Sequence, residues 1–502
     1  MLKPIPFKNH YIKLGKEFFV EARPEPVNNP DLIIFNHDLA EKLGLAETCL
    51  NAARNLSDST AIFAGNQIPD GAEPIAMAYA GHQFGYFNPQ LGDGRAVLLG
   101  EIDEPGGTHM LMQLKGSGPT YFSRNGDGRA ALGPVLREYL LSEAMAKLGV
   151  PTTRALAAVT TGEEVARQQL LPGGIITRIA TSFVRVGTFQ FFSAREDVEA
   201  IKKLADLVIE QNYPTARSED NPYVALLQSI VERQAVLIAK WMQIGFIHGV
   251  MNTDNMSIAG ETIDYGPCAF MDYFDHDQVY SSIDRNGRYA YTNQPSIGLW
   301  NLTRQAEALV PLLADDSGEG VEIARGVLKS YVEIYERSWL SGMRDKLGLL
   351  TQLDSDKALI EELLNIMAVN KADFTLTFYY LSLISIDPAI GNSVDKRKAL
   401  HGLFADADQM KQWLVKWCAR LAEESSDDKA RQTRMQAVNP AYIPRNHLIE
   451  AAIRAAEDSD DFSLFHDLHE VLQAPYELQA GKGVYMLPPE PDEVVEQTFC
   501  GT

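Results

Sequence analysis

The stretch that decides the fold is residues 248–266, which read HGVMNTDNMSIAGETIDYG. Two of its side chains are our candidates to hold a divalent metal ion, the amide of Asn255 and the carboxylate of Asp264. Between them, an apolar and polar alternation on either side of Gly260 predicts a hairpin of two short strands, which would bring Asn255 and Asp264 side by side. Magnesium binds oxygen ligands in octahedral geometry and keeps phosphate oxygens as further ligands. The stretch therefore predicts a site for a metal ion and phosphate groups.

Kinases hold their metal ions in this way, with an Asn of the catalytic loop and the Asp of an Asp-Phe-Gly triplet. Here residues 264–266 read Asp-Tyr-Gly, and the His-Gly start that leads to Asn255 is typical of the catalytic loop of small-molecule kinases. One position departs from the pattern, because the base Asp of a working loop lies two residues after the His, where this chain has Val250. Valine does not accept a proton, whereas an additional carboxylate, Asp254, directly precedes Asn255. The loop is therefore either inactive or has its base elsewhere.

The pentapeptide Gly-Asp-Gly-Arg-Ala occurs twice, at residues 92–96 and 126–130. Glycine permits a close backbone approach and arginine supplies a cation, a combination that suits phosphate oxygens. The first copy runs directly into the apolar stretch AVLLGEI, which predicts a turn at the end of a buried strand. Two tight turns whose Arg side chains face solvent are the alternative. Two copies that flank a strand ending in Lys115 favour the phosphate site.

The strand MLMQL ends at Lys115, directly before Gly-Ser-Gly. In kinases a strand lysine contacts the nucleotide phosphates and is held by a carboxylate. Residues 133–149, GPVLREYLLSEAMAKLG, predict a helix that begins near Pro134 and ends at Gly149. Glu138 lies in the first turns of this helix, and we predict that it pairs with Lys115. A surface ion pair of Glu138 is the alternative.

Runs of β-branched residues between positions 150 and 192 predict further strands of the same sheet. Arg178 and Arg185 are seven residues apart, and a turn between them would let both reach one cleft and bind phosphate in a bidentate manner. A solvent-exposed sheet edge is the alternative. From about residue 197 the hydrophobic period becomes helical, and residues 297–480 read almost entirely as amphipathic helix whose aromatic side chains we predict to be core.

These patterns predict an α+β fold in four parts. Residues 1–75 form an N-terminal extension, and residues 76–195 form a lobe with the glycine-rich turns. Residues 196–300 form the catalytic core of a second lobe, and residues 301–502 form a helical region whose tail carries Cys500.

The chain has 502 residues, a net charge of −22 and a pI near 4.9, which disfavours nonspecific binding to nucleic acid or to anionic membranes. No stretch has the length and apolarity of a signal peptide or a membrane span. Four scattered cysteines form neither a disulfide scaffold nor a Cys-x-x-Cys zinc motif. We therefore expect a cytoplasmic protein, and a monomer because no exposed heptad or long apolar strand edge stands out.

These motifs together closely resemble the selenoprotein O family (YdiU in bacteria), over nearly the whole chain. The most specific elements are GHQFGYFNPQLGDGRA, LKGSGPT, SRNGDGRAALGPVLREYL, HGVMNTDN, IDYGPCAF and the near-terminal Cys500. The resemblance implies a protein-kinase-like, two-lobed fold with a large, mostly helical C-terminal part. It also implies a protein nucleotidyltransferase, which binds ATP (or UTP) in a flipped orientation with Mg²⁺ or Mn²⁺. Such an enzyme transfers AMP (or UMP), and not the γ-phosphate, to Ser, Thr or Tyr hydroxyls of proteins.

The resemblance also assigns roles to residues. It implies that Asp254 is the proton acceptor, that Asn255 and Asp264 are the metal ligands, and that Glu138 holds Lys115. The implied nucleotide-binding residues are Gly92, Gly94, Arg95, Lys115, Asp127, Gly128, Arg178, Arg185 and Asp264.

The resemblance explains why the usual base is missing at Val250. Asp254 can serve as the base only if the reacting phosphorus lies elsewhere than in a kinase, and a flipped nucleotide would move it. The α-phosphate would then lie at the metal, with the pyrophosphate end among Lys115, Arg178 and Arg185. A conventional kinase with a displaced base and an inert nucleotide-binding scaffold are the alternatives.

Eukaryotic members of the family carry selenocysteine near the C-terminus, where this chain has Cys500. Cys268 closely follows the triplet at 264–266, in the segment that corresponds to a kinase activation loop. We hypothesise a regulatory disulfide between Cys268 and Cys500, because the rare disulfides of cytosolic proteins are usually redox-sensing. A buried Cys268 and a free Cys500 are the alternative.

Overall fold

The computed structural model describes residues 3–51, 56–386, 393–425 and 427–499 of the chain. It combines an N-terminal lobe built on a β-sheet with a large helical C-terminal part, which confirms the predicted α+β fold class. Within the described ranges, no helix is both long enough and apolar enough to cross a membrane.

The strands of the described residues are, in chain order, β1 (Phe19–Glu21), β2 (Asp31–Phe35), β3 (Ile75–Met77), β4 (Gly81–Gln83), β5 (Tyr86–Asn88), β6 (Ala96–Asp103), β7 (His109–Lys115), β8 (Ala130–Ala131), β9 (Arg154–Ala166), β10 (Leu170–Ala180), β11 (Phe246–Ile247) and β12 (Ala269–Phe270). Eight of them form one sheet in the order β1-β3-β6-β7-β10-β9-β2, with β8 paired to β10. Every pairing in it is antiparallel. The pairs β4-β5 and β11-β12 form two small sheets outside it.

The helices of the described residues are α1 (His37–Lys42), α2 (Leu56–Phe63), α3 (Leu132–Lys147), α4 (Val186–Ser193), α5 (Val198–Asn212), α6 (Pro222–Ile244), α7 (Gln294–Leu313), α8 (Ser317–Leu347), α9 (Asp356–Asn370), α10 (Phe374–Leu383), α11 (Ser393–His401), α12 (Ala407–Leu421), α13 (Asp428–Gln436), α14 (Asn446–Ser459) and α15 (Ser463–Leu472). In α12, the rings of Trp413 and Trp417 stack at 6.0 Å and are fully buried, so these two aromatic side chains are core, as predicted.

The central strands place Lys115 beside the first glycine turn. Ala96, the last residue of that turn, pairs with Lys115 at the end of β7. On the other side of β7, Arg178 of β10 pairs with Gln113. Because side chains two residues apart on a strand point to the same face, Lys115 and Arg178 lie on one face of the sheet.

The first 75 residues contribute to the same sheet. β1 pairs with β3, and β2 pairs with β9, so these two strands form the sheet edges. After β2, Asn36 caps α1 by accepting a hydrogen bond from the backbone N–H of Leu39 at 3.0 Å. The segment predicted as an extension is therefore continuous with the lobe that follows.

Helix α3 lies between the sheet and the C-terminal helices, and its bounds match the predicted helix to within two residues. Its Gly133 donates a backbone hydrogen bond to Glu457 of α14 at 2.9 Å. Arg137 donates through Nη2 to the Oδ1 atom of Asn446 at 2.7 Å and to the carbonyl of Cys268 at 2.6 Å. Buried polar contacts thus fix α3 to α14.

Candidate active site

A cavity of about 800 Å³ collects the predicted site residues. Its volume lies in the range of small-molecule sites. The predicted residues that line it are Gly92, Gly94, Arg95, Lys115, Asp127, Gly128, Arg178, Arg185, Asp254, Asn255 and Asp264. Glu138 joins this group by contacting Lys115 from α3.

Glu138 links the two cations on the sheet. Its Oε2 atom accepts a hydrogen bond from Lys115 Nζ at 2.6 Å, and its Oε1 atom accepts one from Arg178 Nε. Glu138 is 3% exposed and Arg178 is 2% exposed. Glu138 therefore does not form a surface ion pair, and Arg178 does not lie on a solvent-exposed sheet edge. Burial, and next the neighbouring guanidinium of Arg178, lower the pKa of Lys115.

Asp264 lies among three cations. Its Oδ1 atom is 2.6 Å from Arg178 Nη2 and 3.7 Å from Lys115 Nζ, and its Oδ2 atom is 3.3 Å from Arg185 Nη2. Burial opposes ionisation, but Arg178, Arg185 and Lys115 outweigh it and hold the pKa of Asp264 well below its ordinary value. Asp264 also has a φ of +62°, a left-handed conformation that a non-glycine residue adopts at a cost. The carboxylate is therefore ionised and held in an unusual backbone position.

Asp93 completes this charged group, although only its neighbours in the first glycine turn were predicted from the sequence. Its Oδ1 atom is 3.3 Å from Arg185 Nη1. Its Oδ2 atom accepts hydrogen bonds from Gln113 Nε2 and from the backbone N–H of Met77, both at 3.2 Å. Three carboxylates thus face three cations, and all six are buried except Lys115 and Asp264, whose side chains are 12% and 21% exposed.

The second glycine turn is arranged differently. Asp127 is 44% exposed and pairs with Arg167 of the β9–β10 connection, at 2.7 Å between Oδ2 and Nη1. Gly128 has a φ of +64°, and a Cβ atom there would lie 2.1 Å from the carbonyl oxygen of Gly118. Only glycine therefore fits at position 128. Arg167 lines the cavity and was not predicted from the sequence.

The predicted hairpin between Asn255 and Asp264 is wrong. The chain does turn at Gly260, with a φ of +74°, but the two segments beside it do not pair with each other. Instead, Ser257 bridges to Arg185, and Thr262 bridges to Thr152. Backbone groups in neighbouring segments satisfy these hydrogen bonds, and both predicted ligands still line the same cavity.

Asp254 lies in a different environment from Asp264. It is 8% exposed, and its Oδ2 atom accepts a hydrogen bond from Gln83 Nε2 at 3.0 Å. Its Oδ1 atom has no hydrogen-bond partner among the described residues. A Cβ atom at Gly81 would lie 2.5 Å from that oxygen, so position 81 must lack a side chain. Burial raises the pKa of Asp254 to about 6, against the hydrogen bond from Gln83.

The β4–β5 hairpin brings Gln83 to Asp254. The backbone N–H of His82 donates to Thr253 Oγ1 at 2.7 Å, and that of Phe84 donates to Asn252 Oδ1 at 3.1 Å. Gln83 is 171 positions from Asp254 in the sequence, so no local pattern could have identified it.

The donor set of the cavity fits a divalent metal ion with oxygen ligands. Asn255 donates through Nδ2 to the carbonyl of Val250 at 3.1 Å, which leaves its amide oxygen as the atom available to a cation. Asp264 is ionised, and both residues line the cavity. Oxygen donors of this kind suit Mg²⁺ or Mn²⁺.

Cys268 is fully buried, and burial raises the pKa of its thiol to about 12. Cys500 lies outside the described residues. Nearby in the tail, Thr498 donates through Oγ1 to the carbonyl of Pro267 at 2.6 Å, and its backbone N–H donates to Tyr280 at 2.8 Å. The tail therefore reaches the segment that contains Cys268, while the pairing of the two cysteines stays a prediction.

A strand lysine held by a helix glutamate, two glycine turns and an Asn–Asp pair on one loop are the features of a protein-kinase-like, nucleotide-dependent enzyme. The family model described as "Protein adenylyltransferase SelO" matches residues 2–473. The chain therefore belongs to the SelO family, as its motifs predicted.

Individual relatives agree with this assignment. A "Protein nucleotidyltransferase YdiU" of Rhizobium rhizogenes is 54% identical over 499 residues, which cover 99% of this chain and 97% of the relative. Proteins of the same name from Rhodopseudomonas palustris (strain BisB5) and Rhizobium meliloti are 56% and 54% identical, over 99% of both chains in each case. The chain is an enzyme of the protein nucleotidyltransferase class.

Proposed function

We propose that this enzyme transfers AMP from ATP, or UMP from UTP, to the hydroxyl groups of Ser, Thr or Tyr in other proteins and releases pyrophosphate. The nucleotide binds in the flipped orientation, with its α-phosphate beside Asp254. Asp254 acts as the base, and Lys115, Arg178 and Arg185 bind the pyrophosphate end.

The observation that carries this proposal is the exchange of roles between positions 250 and 254. Val250 occupies the position of the kinase base and lines the cavity, but its side chain has no atom that can accept a proton. Asp254 is buried in the same cavity, and its pKa of about 6 lies near the pH at which an enzyme works. A group of this kind is matched to general-base catalysis.

In the proposed reaction, the acceptor hydroxyl oxygen forms a bond to the α-phosphorus of ATP. The bond between that phosphorus and the oxygen bridging to the β-phosphate breaks, and pyrophosphate leaves with the electron pair. The hydroxyl proton moves to Asp254. The nucleophile thus loses its proton as the phosphorus–oxygen bond forms, which avoids a free alkoxide.

The cations of the sheet suit the leaving group. Lys115, Arg178 and Arg185 all lie within 3.7 Å of Asp264 and are buried or nearly so. Fixed cations in a low-dielectric site stabilise developing charge more strongly than they would in bulk solvent. A divalent ion held by Asn255 and Asp264 would add Lewis-acid stabilisation of the phosphate oxygens.

The test is to incubate the purified protein and a mixture of candidate protein substrates with ATP labelled at either the α- or the γ-phosphorus. We expect protein-bound label from the α position alone. Label from the γ position alone would identify a conventional kinase, and label from neither would identify an inert scaffold. Mass spectrometry of modified peptides then identifies the acceptor residue, and parallel reactions with UTP give the nucleotide preference.

The matched control is Asp254→Asn, which retains an acceptor for the Gln83 hydrogen bond and nearly the same shape. It should bind nucleotide as the unsubstituted protein does but should not transfer the α-label at a comparable rate. A structure with a nonhydrolysable ATP analogue tests the orientation directly. A terminal phosphate next to Asp254 would contradict the proposal.

A further inference from the structure

A group of side chains at the start of β7, at the opposite end of this strand from Lys115, has the composition of a transition-metal site. It consists of His10, which precedes a short 3-10 helix (Tyr11–Leu14), Glu101 of β6 and His109 of β7. The Nδ1 atom of His10, a carboxylate oxygen of Glu101 and the Nε2 atom of His109 lie within 4.8 Å of one another. In the part of the chain that the structure describes, no other three His, Cys, Asp or Glu side chains converge in this way.

The central ligand is Glu101, which is 1% exposed. Its Oε2 atom is 2.8 Å from His10 Nδ1 and 2.6 Å from His109 Nε2. An imidazole nitrogen this close to a carboxylate oxygen either carries a hydrogen that it donates or shares a metal ion with that oxygen, because two lone pairs repel each other. The group is therefore either a hydrogen-bonded network or a metal site. His10 is 35% exposed, which leaves a path from solvent to the group.

Asp103 provides the outer partner that metal-binding histidines usually have. The Nδ1 atom of His109 is 2.9 Å from Asp103 Oδ1, so its N–H donates to a carboxylate. In the neutral ring this hydrogen bond leaves the lone pair of His109 on Nε2, the atom that would bind a metal ion; without an ion, the 2.6 Å contact with Glu101 requires a hydrogen on Nε2 as well. A carboxylate that fixes the tautomer and orientation of a histidine is characteristic of zinc sites.

A fourth polar group approaches from the C-terminal end of α5. The Nε2 atom of Gln211 is 3.0 Å from His109 Nε2 and 3.2 Å from Glu101 Oε2. The nitrogen and oxygen of a glutamine amide exchange places by a half-turn of its terminal bond. After that half-turn, an oxygen ligand joins the two nitrogens and the carboxylate.

The backbone assembles this group in advance. The N–H of Lys8 donates to the carbonyl of Glu101 at 2.6 Å, and the N–H of Glu101 donates to the carbonyl of Lys8 at 2.9 Å. The N–H of Tyr11 donates to Glu101 Oε1 at 2.7 Å, so Oε2 is the oxygen that faces the histidines. Pre-organised ligands lose less conformational entropy when an ion binds.

We propose that His10, Glu101 and His109 bind one divalent transition-metal ion, with zinc as the expected occupant. Two imidazoles and one carboxylate are a common zinc donor set, whereas magnesium and calcium prefer oxygen ligands alone. The ion joins the N-terminal segment to β6, β7 and α5. Its role is structural and is separate from the metal ion of the nucleotide cavity.

The experiment uses the untagged, full-length protein, stripped with a chelator and then equilibrated with Zn²⁺ in excess Mg²⁺. The Mg²⁺ competes for the Asn255–Asp264 site. We expect one zinc ion per chain by elemental analysis and a higher thermal unfolding midpoint in the zinc-loaded protein. His109→Gln should lower zinc affinity by at least about 100-fold, and Asp103→Asn should lower it by about 10- to 100-fold. His37→Asn, at an exposed histidine that begins α1 after the edge strand β2, is the matched control and should bind zinc normally.

Cobalt provides a readout that does not depend on the folding of a variant. Co²⁺ added to the stripped, unsubstituted protein should give visible absorption bands of a four- or five-coordinate site, and Zn²⁺ should abolish them. Fewer than about one zinc ion per ten chains, or the absence of cobalt bands, would show that the group is an ion-paired histidine network without a metal. Equal zinc affinity in His109→Gln and the unsubstituted protein would overturn the proposal as well.

Discussion

Asp254 and Asp264 are ten residues apart and line the same cavity, yet their surroundings shift the pKa values of the two carboxyl groups in opposite directions. Asp264 is in contact with two guanidinium groups and near an ammonium group, so its pKa is held well below the ordinary value. Asp254 receives one amide hydrogen bond in a buried position, and its pKa rises to about 6. Two carboxylates whose pKa values are pushed apart are suited to different tasks, here a permanent anion and a proton acceptor.

The largest effect on stability is expected from Glu138→Gln, in the cluster of charged residues around Asp264. The substitution leaves Lys115 and Arg178 buried with one anion fewer, so we expect the free energy of unfolding to fall by about 3–5 kcal/mol. Urea denaturation measures it. Glu199→Gln removes the 80%-exposed partner of Lys203 and should change stability by less than about 0.5 kcal/mol. A loss below about 1 kcal/mol in Glu138→Gln would contradict a tightly coupled cluster.

Asp254→Asn removes the proposed base and keeps the side-chain shape. We expect the rate of α-label transfer to fall by about 10²–10⁴-fold, because general-base catalysis is lost. For the unsubstituted enzyme, the rate should decline below a pH of about 6 as Asp254 becomes protonated, and the variant should lack this decline. A variant with normal activity would mean that the base is another group.

The same substitution should change stability in a pH-dependent manner. Because the folded-state pKa of Asp254 is raised from 3.8 to about 6, its contribution to stability is present below pH 4 and is lost as the pH rises through 6. Asp254→Asn should therefore be more stable than the unsubstituted protein at pH 7, by about 2–3 kcal/mol, and equally stable near pH 4. Thermal unfolding across this range measures the difference. A difference that does not vary with pH would mean that burial does not shift the pKa of Asp254.

Gln83→Leu should increase the difference between the pKa values of Asp254 and Asp264. Without the hydrogen bond to Oδ2, the pKa of Asp254 rises further, and the acid limb of the pH–rate profile should move upward by about one pH unit. Gln90→Leu, at an exposed position shortly after the same hairpin, is the control and should leave the profile unchanged. An unchanged profile in Gln83→Leu would mean that this hydrogen bond does not tune the base.

The smallest expected effect is on the number of free thiols, and it concerns Cys268 and Cys500. If the tail is tied to its neighbouring segment by Cys268 and Cys500, denatured protein should show four free thiols after reduction and two after oxidation. Oxidation should be slow, because the buried Cys268 thiol has a pKa of about 12 and little reactive thiolate forms. Cys500→Ser should keep its three thiols under both conditions. Four thiols in the oxidised unsubstituted protein would end the hypothesis.

Local sequence patterns predicted those parts of the fold that local physics determines. Periodicity and end signals located α3 and β7, and the position of Glu138 on α3 was sufficient to select it as the partner of Lys115. The hairpin at Gly260 failed because its alternating segments pair with residues distant in sequence, Arg185 and Thr152. An alternating pattern indicates an extended segment but does not identify its partner.

The repeated pentapeptide also shows that a local pattern does not identify the tertiary partners of a residue. Asp93 and Asp127 occupy the same place in identical pentapeptides, yet Asp93 is 2% exposed beside Arg185, whereas Asp127 pairs with Arg167 at the surface. Tertiary neighbours alone separate them. Gln83 likewise reaches Asp254 only through the docking of a distant hairpin.

Glu138 and Arg137 are adjacent on α3, and they anchor it in two directions. Glu138 holds Lys115, while Arg137 and Gly133 hold α14 and the carbonyl of Cys268. An outward swing of α3 would have to rupture both sets of contacts at once. We therefore expect the enzyme to lack a conformer in which α3 is displaced outward. Compounds that bind only to such a conformer should not bind this enzyme.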